Sequence, residues 1–394
     1  MSNPLTTYHL PPTILIVSNG YGEDAVGALL AAHLEKSGIE VVSYPLVGLG
    51  RTYEGVRVLE PRRELPSGGF ALRGSWKGLW RDLRAGGLGF WLEQRQTLRN
   101  RRGKHDLVVA IGDVFCLWMA AQTGAPVVVV ATAKSQYNEP HRWFERWLMR
   151  RLAVRVFARD PVTADALAAA GIPARYVGNP LMDTITFSQD PLPLHPGRPT
   201  VTLLPGSRPD AVTNIPGLLK LSEAVGREVS VNFVYALAPG LELESVLKTA
   251  GGAGWTGADG ILRSGKTEVL LTRSFGNALQ ASDVVVGLAG TANEQAAGLG
   301  KPVVAFPGQS AQYSREFMLL QKRLLGDALI ARSGWQEGAE SVLILLDDPA
   351  ERSRRGEIGR QRMGSPGAVR KIADEIRTLI QGERTFPTHS PPIA

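Results

Sequence analysis

Scarce cysteine, missing cofactor fingerprints and the want of any long apolar run limit this sequence before a motif is read. Cys116 is the single cysteine. That excludes an internal disulfide framework and a cysteine-rich zinc site, and it fits a reducing compartment. No apolar run approaches the roughly 18 residues that span a bilayer, so membrane contact is expected to be peripheral. The amino-terminal stretch lacks the basic start, apolar core and small-residue cleavage site of a secretory signal, and a cytoplasmic location is expected. No acidic cluster of metal-site type stands out. The dinucleotide fingerprint is missing too: Gly20 and Gly22 open the first loop, Gly27 comes too late, and no acidic residue closes the second strand. No metal and no cofactor are expected.

What is present is ordinary in amount and informative in order. At 394 residues the chain is long for one domain. Forty-four Lys and Arg against 37 Asp and Glu leave a net charge of +7, which points to anionic partners. β-branched runs ending in glycine turns alternate with helical stretches. Thr13–Val17, Val41–Tyr44, Asp106–Ile111, Pro126–Ala133, Val154–Ala158 and Ala174–Val177 read as strands of a first run. Ser188–Pro199 is proline-rich and without periodicity, which predicts a linker. A second run holds strands at Thr200–Leu204, Val231–Ala236, Val269–Thr272, Asp283–Val286 and Pro302–Phe306, with a glycine-rich turn region over Gly251–Asp259. Two such runs predict an α/β protein of two doubly wound, Rossmann-like domains facing across a cleft. The expected bounds are 1–187, a linker over 188–199, 200–355, a C-terminal helix over 356–382 and a disordered tail over 383–394.

Four turns carry candidate chemistry. Leu203-Leu204-Pro205-Gly206-Ser207-Arg208 ends a strand and opens a helix at Pro209. Helix N-termini favour anions, Ser207 can donate, and Arg208 can clamp a phosphate with two parallel bonds. The loop is read as a grip for the diphosphate of a nucleotide-sugar, against an ordinary turn with a solvated Arg. Gly290 and Thr291 form a second such turn, with Glu294 or Gln295 a turn further on to reach ribose hydroxyls. Thr291 and Glu294 also fit capping-box spacing. In the first run Glu23 and Asp24 sit at a helix start, where they stabilise the dipole by roughly 1 kcal/mol and would repel a diphosphate. Asp113 ends a strand as either a helix N-cap or a general base.

Two stretches interleave tryptophan with arginine. In the first, Trp76, Trp80 and Trp91 lie among Lys77, Arg81, Arg84, Arg95, Arg99, Arg101 and Arg102. The second runs from Trp143 to Arg151. Aromatic and basic residues together suit an anionic headgroup surface. A nucleic-acid surface uses the same chemistry, and a solvated basic face over a core stripe is the plain alternative.

From about residue 13 to about residue 380 the chain resembles lipid-A-disaccharide synthase, an inverting glycosyltransferase of the two-Rossmann GT-B type. It looks closest to the branch described as related to that synthase. Leu204-Pro205-Gly206-Ser207-Arg208 matches the family's donor-phosphate loop. Ala289-Gly290-Thr291-Ala292 matches its Ser-Gly-Thr-Ala turn except at Ala289. Gly22-Glu23-Asp24 is similar to the family's glycine-glutamate loop, shorter and rearranged. Ile111-Gly112-Asp113-Val114-Phe115 looks like its catalytic strand-end segment. Gly178-Asn179-Pro180-Leu181-Met182-Asp183 resembles Gly-His-Pro-Leu-x-Asp, with Asn179 in place of His. The family usually has Glu where this chain has Gln295.

The resemblance implies transfer of a sugar from a nucleotide-sugar, a UDP-sugar above all, to a lipid or lipid-linked acceptor. The second domain would hold the donor through Gly206, Ser207, Arg208, Gly290, Thr291 and Glu294 or Gln295. Asp113, or failing that Glu23, would be the base. Gly22, Asp24, Asn179 and Asp183 would line the acceptor side. The Trp–Arg stretches would rest on an anionic membrane at the inner surface, and no nucleic acid is expected. A UDP-sugar epimerase on the same architecture, or a non-catalytic nucleotide-sugar binder, is the alternative.

Overall fold

The computed structural model describes residues 11–63, 87–310 and 313–383. They form two compact units. One comprises the chain up to Pro180 with the segment returning from Gly367; the other runs from Leu181 to Pro366.

The first unit is built on a seven-stranded sheet: β1 (Thr13–Ser18), β2 (Glu40–Pro45), β3 (Arg57–Val58), β4 (Leu107–Gly112), β5 (Val127–Ala131), β6 (Ala153–Ala158) and β7 (Ala174–Arg175). The order is β3-β2-β1-β4-β5-β6-β7, and every neighbouring pair is parallel. β4 and β5 are buried at every position. Sheets covered by helices on both faces need such continuous apolar strands. Ile16, Val109 and Val128 are aligned across three strands, so β1, β4 and β5 end level. The direction of winding reverses between β1 and β4, and in open α/β sheets ligands collect at that switch point, beyond the carboxyl ends.

The second unit holds β8 (Thr200–Leu204), β9 (Asn232–Ala236), β10 (Thr256–Ala258), β11 (Ile261–Ser264), β12 (Thr267–Thr272), β13 (Val284–Gly287), β14 (Val303–Ala305) and β15 (Leu329–Ala331). Their order is β10-β11-β12-β9-β8-β13-β14-β15. Only the β10–β11–β12 edge is antiparallel. Leu204 pairs with Gly287, so β8 and β13 end together at this unit's own switch point. The expected turn region around Gly251–Asp259 contains the short strand β10. It pairs with β11 through the two-residue turn Asp259-Gly260, an Asp-Gly hairpin signal left unread in the sequence.

Two expected boundaries differ. Residues 188–199 are not a free linker, because two buried or half-buried amides tie them to the second unit. Asn277 Nδ2 donates to the carbonyls of Ser188 and Asp190 at 3.0 and 2.9 Å. Asn232 Nδ2 donates to those of His195 and Arg198 at 3.0 and 3.1 Å. The single C-terminal helix expected over 356–382 is two helices, Pro349–Met363 and Ala368–Glu383, interrupted where Gly364 and Pro366 stand. The first stays with the second unit, its Gly356 and Gly359 set against the carbonyls of Gly300 and Ala297 with no room for a Cβ. The other returns to the first unit, where Glu375 pairs with Arg175 at 3.1 Å. Residues beyond Glu383, the expected tail, lie outside the described residues. Among the described residues no helix is long and apolar enough to cross a membrane.

Candidate functional site

The loop after β8 is the one expected to grip a diphosphate. Gly206 lies at φ +112°, a conformation that favours glycine, and is buried, while Ser207 and Arg208 are exposed. Arg208 takes the N-cap position of a 3-10 turn, Pro209–Asn214, and the α-helix proper starts only at Ile215. Asn214 fixes this loop from below. Its Nδ2 donates to the carbonyl of Pro205 at 2.8 Å, and its Oδ1 accepts from the backbone of Gln309 and Ser310 at 2.8 and 3.1 Å. Gly240 packs so closely on the Ser207 carbonyl that a Cβ would come within 2.8 Å.

Beside it, the helix Thr291–Gly298 starts with Gly290 as N-cap and no side-chain cap. The capping box expected of Thr291 and Glu294 is absent because the helix begins one residue too early for it. Thr291 is exposed, and the first N–H groups point off the end of β13. A buried amide network holds this turn. Asn293 Nδ2 donates to Gly287 O (3.1 Å) and Gln321 Oε1 (2.8 Å), and Gln321 Nε2 donates to Gly290 O (2.8 Å). Tyr313 adds its hydroxyl to Gln321 at 2.7 Å.

Glu294 and Gln295 have different surroundings. Gln295 is buried, and its amide donates to Leu181 O and Thr184 Oγ1, each at 3.0 Å. Both N–H groups of that amide are thereby spent on the protein. Glu294 faces about 100° away on the helix and is half-buried.

In the first unit, Glu23 and Asp113 come together at the ends of β1 and β4. Asp113 caps the helix Val114–Ala120 through Phe115 N and Cys116 N, both 3.1 Å from Oδ1. Asn19 Nδ2 donates to the same Oδ1 at 3.1 Å. Among the described residues Oδ2 accepts no hydrogen bond, so capping leaves one carboxylate oxygen available. Gly112, at φ +141°, lets Asn19 approach where a Cβ would meet it at 3.3 Å. Burial raises the Asp113 carboxyl above its ordinary value, against the lowering effect of those three donors.

Glu23 accepts from Thr132 Oγ1, at the end of β5, at 2.9 Å. Burial raises its carboxyl too, the nearby Asp113 charge adding to it and Arg159 opposing it. Arg159 is itself buried at the end of β6 and donates to Thr132 O at 3.0 Å. The site is a patch of basic carboxylates held by hydroxyl, amide and guanidinium partners. Below it the Cys116 thiol is buried and pushed well above its usual range.

Other expectations fall differently. Asp24 is 1% exposed and faces inward, where Ser18 Oγ donates to it at 2.6 Å and also meets Tyr53 OH at 2.8 Å. It lines no open surface, because the first helical turn hides it, while Gly22 in that turn is half-buried. Asn179 is buried in the first unit and Asp183 lies in the turn Pro180–Thr184, half-buried in the second. The fixing residues Asn19, Thr132, Arg159, Asn214, Asn293 and Gln321 were missed in the sequence. Isolated polar residues next to turns carry no periodic signal. Among the described residues no group of three or more His, Cys, Asp or Glu has metal-site geometry.

The tryptophan–arginine stretches divide as well. Trp76, Trp80, Lys77, Arg81 and Arg84 lie outside the described residues. Trp91 and Arg95 turn inward: Trp91 packs edge-on against Phe115, and the Arg95 guanidinium lies 5.2 Å from the centre of the Trp118 ring. The helix Trp143–Leu152 keeps the expected character. Phe144, Leu148 and Met149 face the core, while Trp143 and Trp147 are 74% and 57% exposed among Arg146, Arg150 and Arg151.

Two parallel-dominated units with loops at their switch points make this the GT-B fold. Solved structures agree across nearly the whole chain. UDP-GlcNAc 2-epimerase from Neisseria meningitidis, bound to UDP-GlcNAc, matches with a TM-score of 0.56 at 16% identity, over 94% of this chain and all of that one. The calicheamicin glycosyltransferase CalG4 matches with a TM-score of 0.60 at 16% identity, over 96% of this chain and 100% of its own. MurG from Acinetobacter baumannii gives 0.55 at 15%, over 93% and 100%.

No protein-family model matches the chain. By sequence the chain is a relative of the lipid-A-disaccharide synthases, as its motifs implied. It is 28% identical to that of Myxococcus xanthus over 94% of this chain and 98% of the relative. It is also 28% identical to that of Thiobacillus denitrificans, over 84% and 90%.

Proposed function

We propose that the chain is a glycosyltransferase that moves a sugar from a UDP-sugar to a hydroxyl of a lipid or lipid-linked acceptor. The observation that carries this reading is the arrangement at Asp113. One oxygen is locked by three donors, the other is available, and burial has made the carboxyl more basic. Such a group takes a proton from an acceptor hydroxyl as the hydroxyl attacks the sugar's anomeric carbon. Direct attack of this kind inverts the anomeric centre. Glu23 is the second candidate for the base.

In the second unit Arg208, Ser207, Thr291 and the N–H groups following Gly290 would stabilise the leaving diphosphate by charge and helix dipole, without a metal. Glu294 would reach the ribose. Gly22 would belong to the acceptor side. The relatives' name supports a lipid acceptor, and exposed Trp143 and Trp147 among arginines suit an anionic bilayer. The enzyme would then work in the cytoplasm, bound peripherally to the inner membrane surface. An epimerase would share the donor loops but has no use for that surface.

Two binding experiments test the reading. UDP should raise the melting temperature of the wild type and much less that of Arg208→Ala. The protein should float with anionic liposomes and stay behind with neutral ones. Absence of any UDP effect would remove the donor assignment, and failure to float would remove the membrane.

A further inference from the structure

We propose that Phe317 is a binding residue that packs against the hexose of the bound nucleotide-sugar; this rests on the second unit holding that donor. Phe317 stands on the helix Arg315–Leu325, which follows β14 in the chain. A Cβ built on Gly290 would lie 3.5 Å from the Cζ of its ring, ordinary van der Waals contact, so the ring borders the turn after β13 directly. Phe317 is nevertheless 38% exposed. An aromatic ring is left open beside the N–H groups read as a diphosphate site.

The network that sets the turn also sets this ring. Tyr313 is fully buried and meets Phe317 edge-on, with ring centroids 5.7 Å apart and 69° between the planes, a favoured aromatic geometry. The Tyr313 hydroxyl donates to Gln321 Oε1, and Gln321 Nε2 donates to the carbonyls of Ala289 and Gly290 at 3.2 and 2.8 Å. Ser314 Oγ accepts from Phe317 N at 3.3 Å and starts the helix. Turn and aromatic are thus held as one piece, and little ordering is left for a ligand to impose. Glu294 stands four residues in from Gly290, about 6 Å along the helix axis. A donor with its ribose at Glu294 and its diphosphate at the Gly290–Thr291 end carries its hexose past the diphosphate, at the helix end that Phe317 borders. The C–H groups on one face of a pyranose suit an aromatic ring, whose own face carries partial negative charge.

The experiment is calorimetric titration of the full chain with UDP, UDP-N-acetylglucosamine, UDP-glucose and UDP-galactose. Phe317→Ala should leave UDP affinity within about twofold and weaken the UDP-hexose that the wild type binds best by about 3–10-fold. Phe317→Tyr should keep the wild-type ratio of UDP-hexose to UDP affinity. An aromatic that merely covers the turn would lower stability or weaken UDP and UDP-hexoses alike. A ratio unchanged by Phe317→Ala therefore overturns the proposal. Where Phe317→Ala fails to fold, Phe317→Leu, which keeps apolar bulk without the ring, decides in its place. Arg208→Ala separates the two levels. If it weakens UDP binding while the ratio holds in Phe317→Ala, only the role of Phe317 falls. If the wild type binds neither UDP nor any UDP-hexose, the donor reading is lost and this one with it.

Discussion

Asn19 Nδ2 donates to Asp113 Oδ1 over 3.1 Å, tying the loop after β1 to the loop after β4 at the point where the first sheet reverses its winding. The bond spends the oxygen that already caps a helix and leaves the other for chemistry. Helix capping by Asp113 and its proposed role as base therefore do not compete.

Asp113→Asn should preserve the fold, because Asn caps helices about as well as Asp. Turnover should drop by about 10²–10⁴-fold, the usual worth of a general base. Steady-state UDP release and a thermal melt check the two halves. Activity above a tenth of wild type would contradict the assignment.

Arg208 is exposed and positioned by a loop that Asn214 holds in place. Arg208→Ala should weaken UDP binding by about 10–100-fold, the range of a charge-assisted bond. Arg208→Lys should recover only part, since an ammonium cannot make two parallel bonds. Calorimetric titration with UDP reads both.

Neighbouring residues on one helix should separate binding from stability. Glu294→Ala should lower affinity for UDP with little change in melting temperature. Gln295→Ala should do the reverse, leaving Leu181 O and Thr184 Oγ1 without their donor at a cost of about 1–3 kcal/mol. Equal effects on UDP affinity would contradict the division.

Asp24 gives a pH dependence with a definite sign. Burial pushes its carboxyl up from 3.8 to about 7, with the Ser18 hydrogen bond opposing and Glu23 adding. Below 3.8 the group is protonated in folded and unfolded chains alike. Between 3.8 and about 7 the unfolded chain ionises and the folded one resists, so stability is lost as pH rises through that window. The melting temperature of Asp24→Asn should gain on the wild type across that interval and hold its lead above it. A gap that does not change with pH would contradict the argument.

Much of this was legible in the sequence because strands and glycine turns are local. Val127–Ala131 can be nothing but a buried strand, and Pro205-Gly206-Ser207-Arg208 carries its turn, its donor and its charge within four residues. What stayed hidden depends on residues far apart in the chain. Gln295 is a tie to Leu181 and Thr184 only after folding, and Trp91 turns inward only because Phe115 is there to meet it. A C-terminal helix was expected in one piece over 356–382; the return of Ala368–Glu383 to the first unit follows from packing that no local pattern encodes.

Transfer of radiolabel from UDP-N-acetylglucosamine into solvent-extractable lipid tests the central claim most directly. Wild-type protein incubated with membrane lipid should yield a labelled lipid product and release UDP in equal amount, and neither Asp113→Asn nor Arg208→Ala should do so. Label recovered only in an epimerised UDP-sugar, or no turnover beside intact UDP binding, would contradict the account.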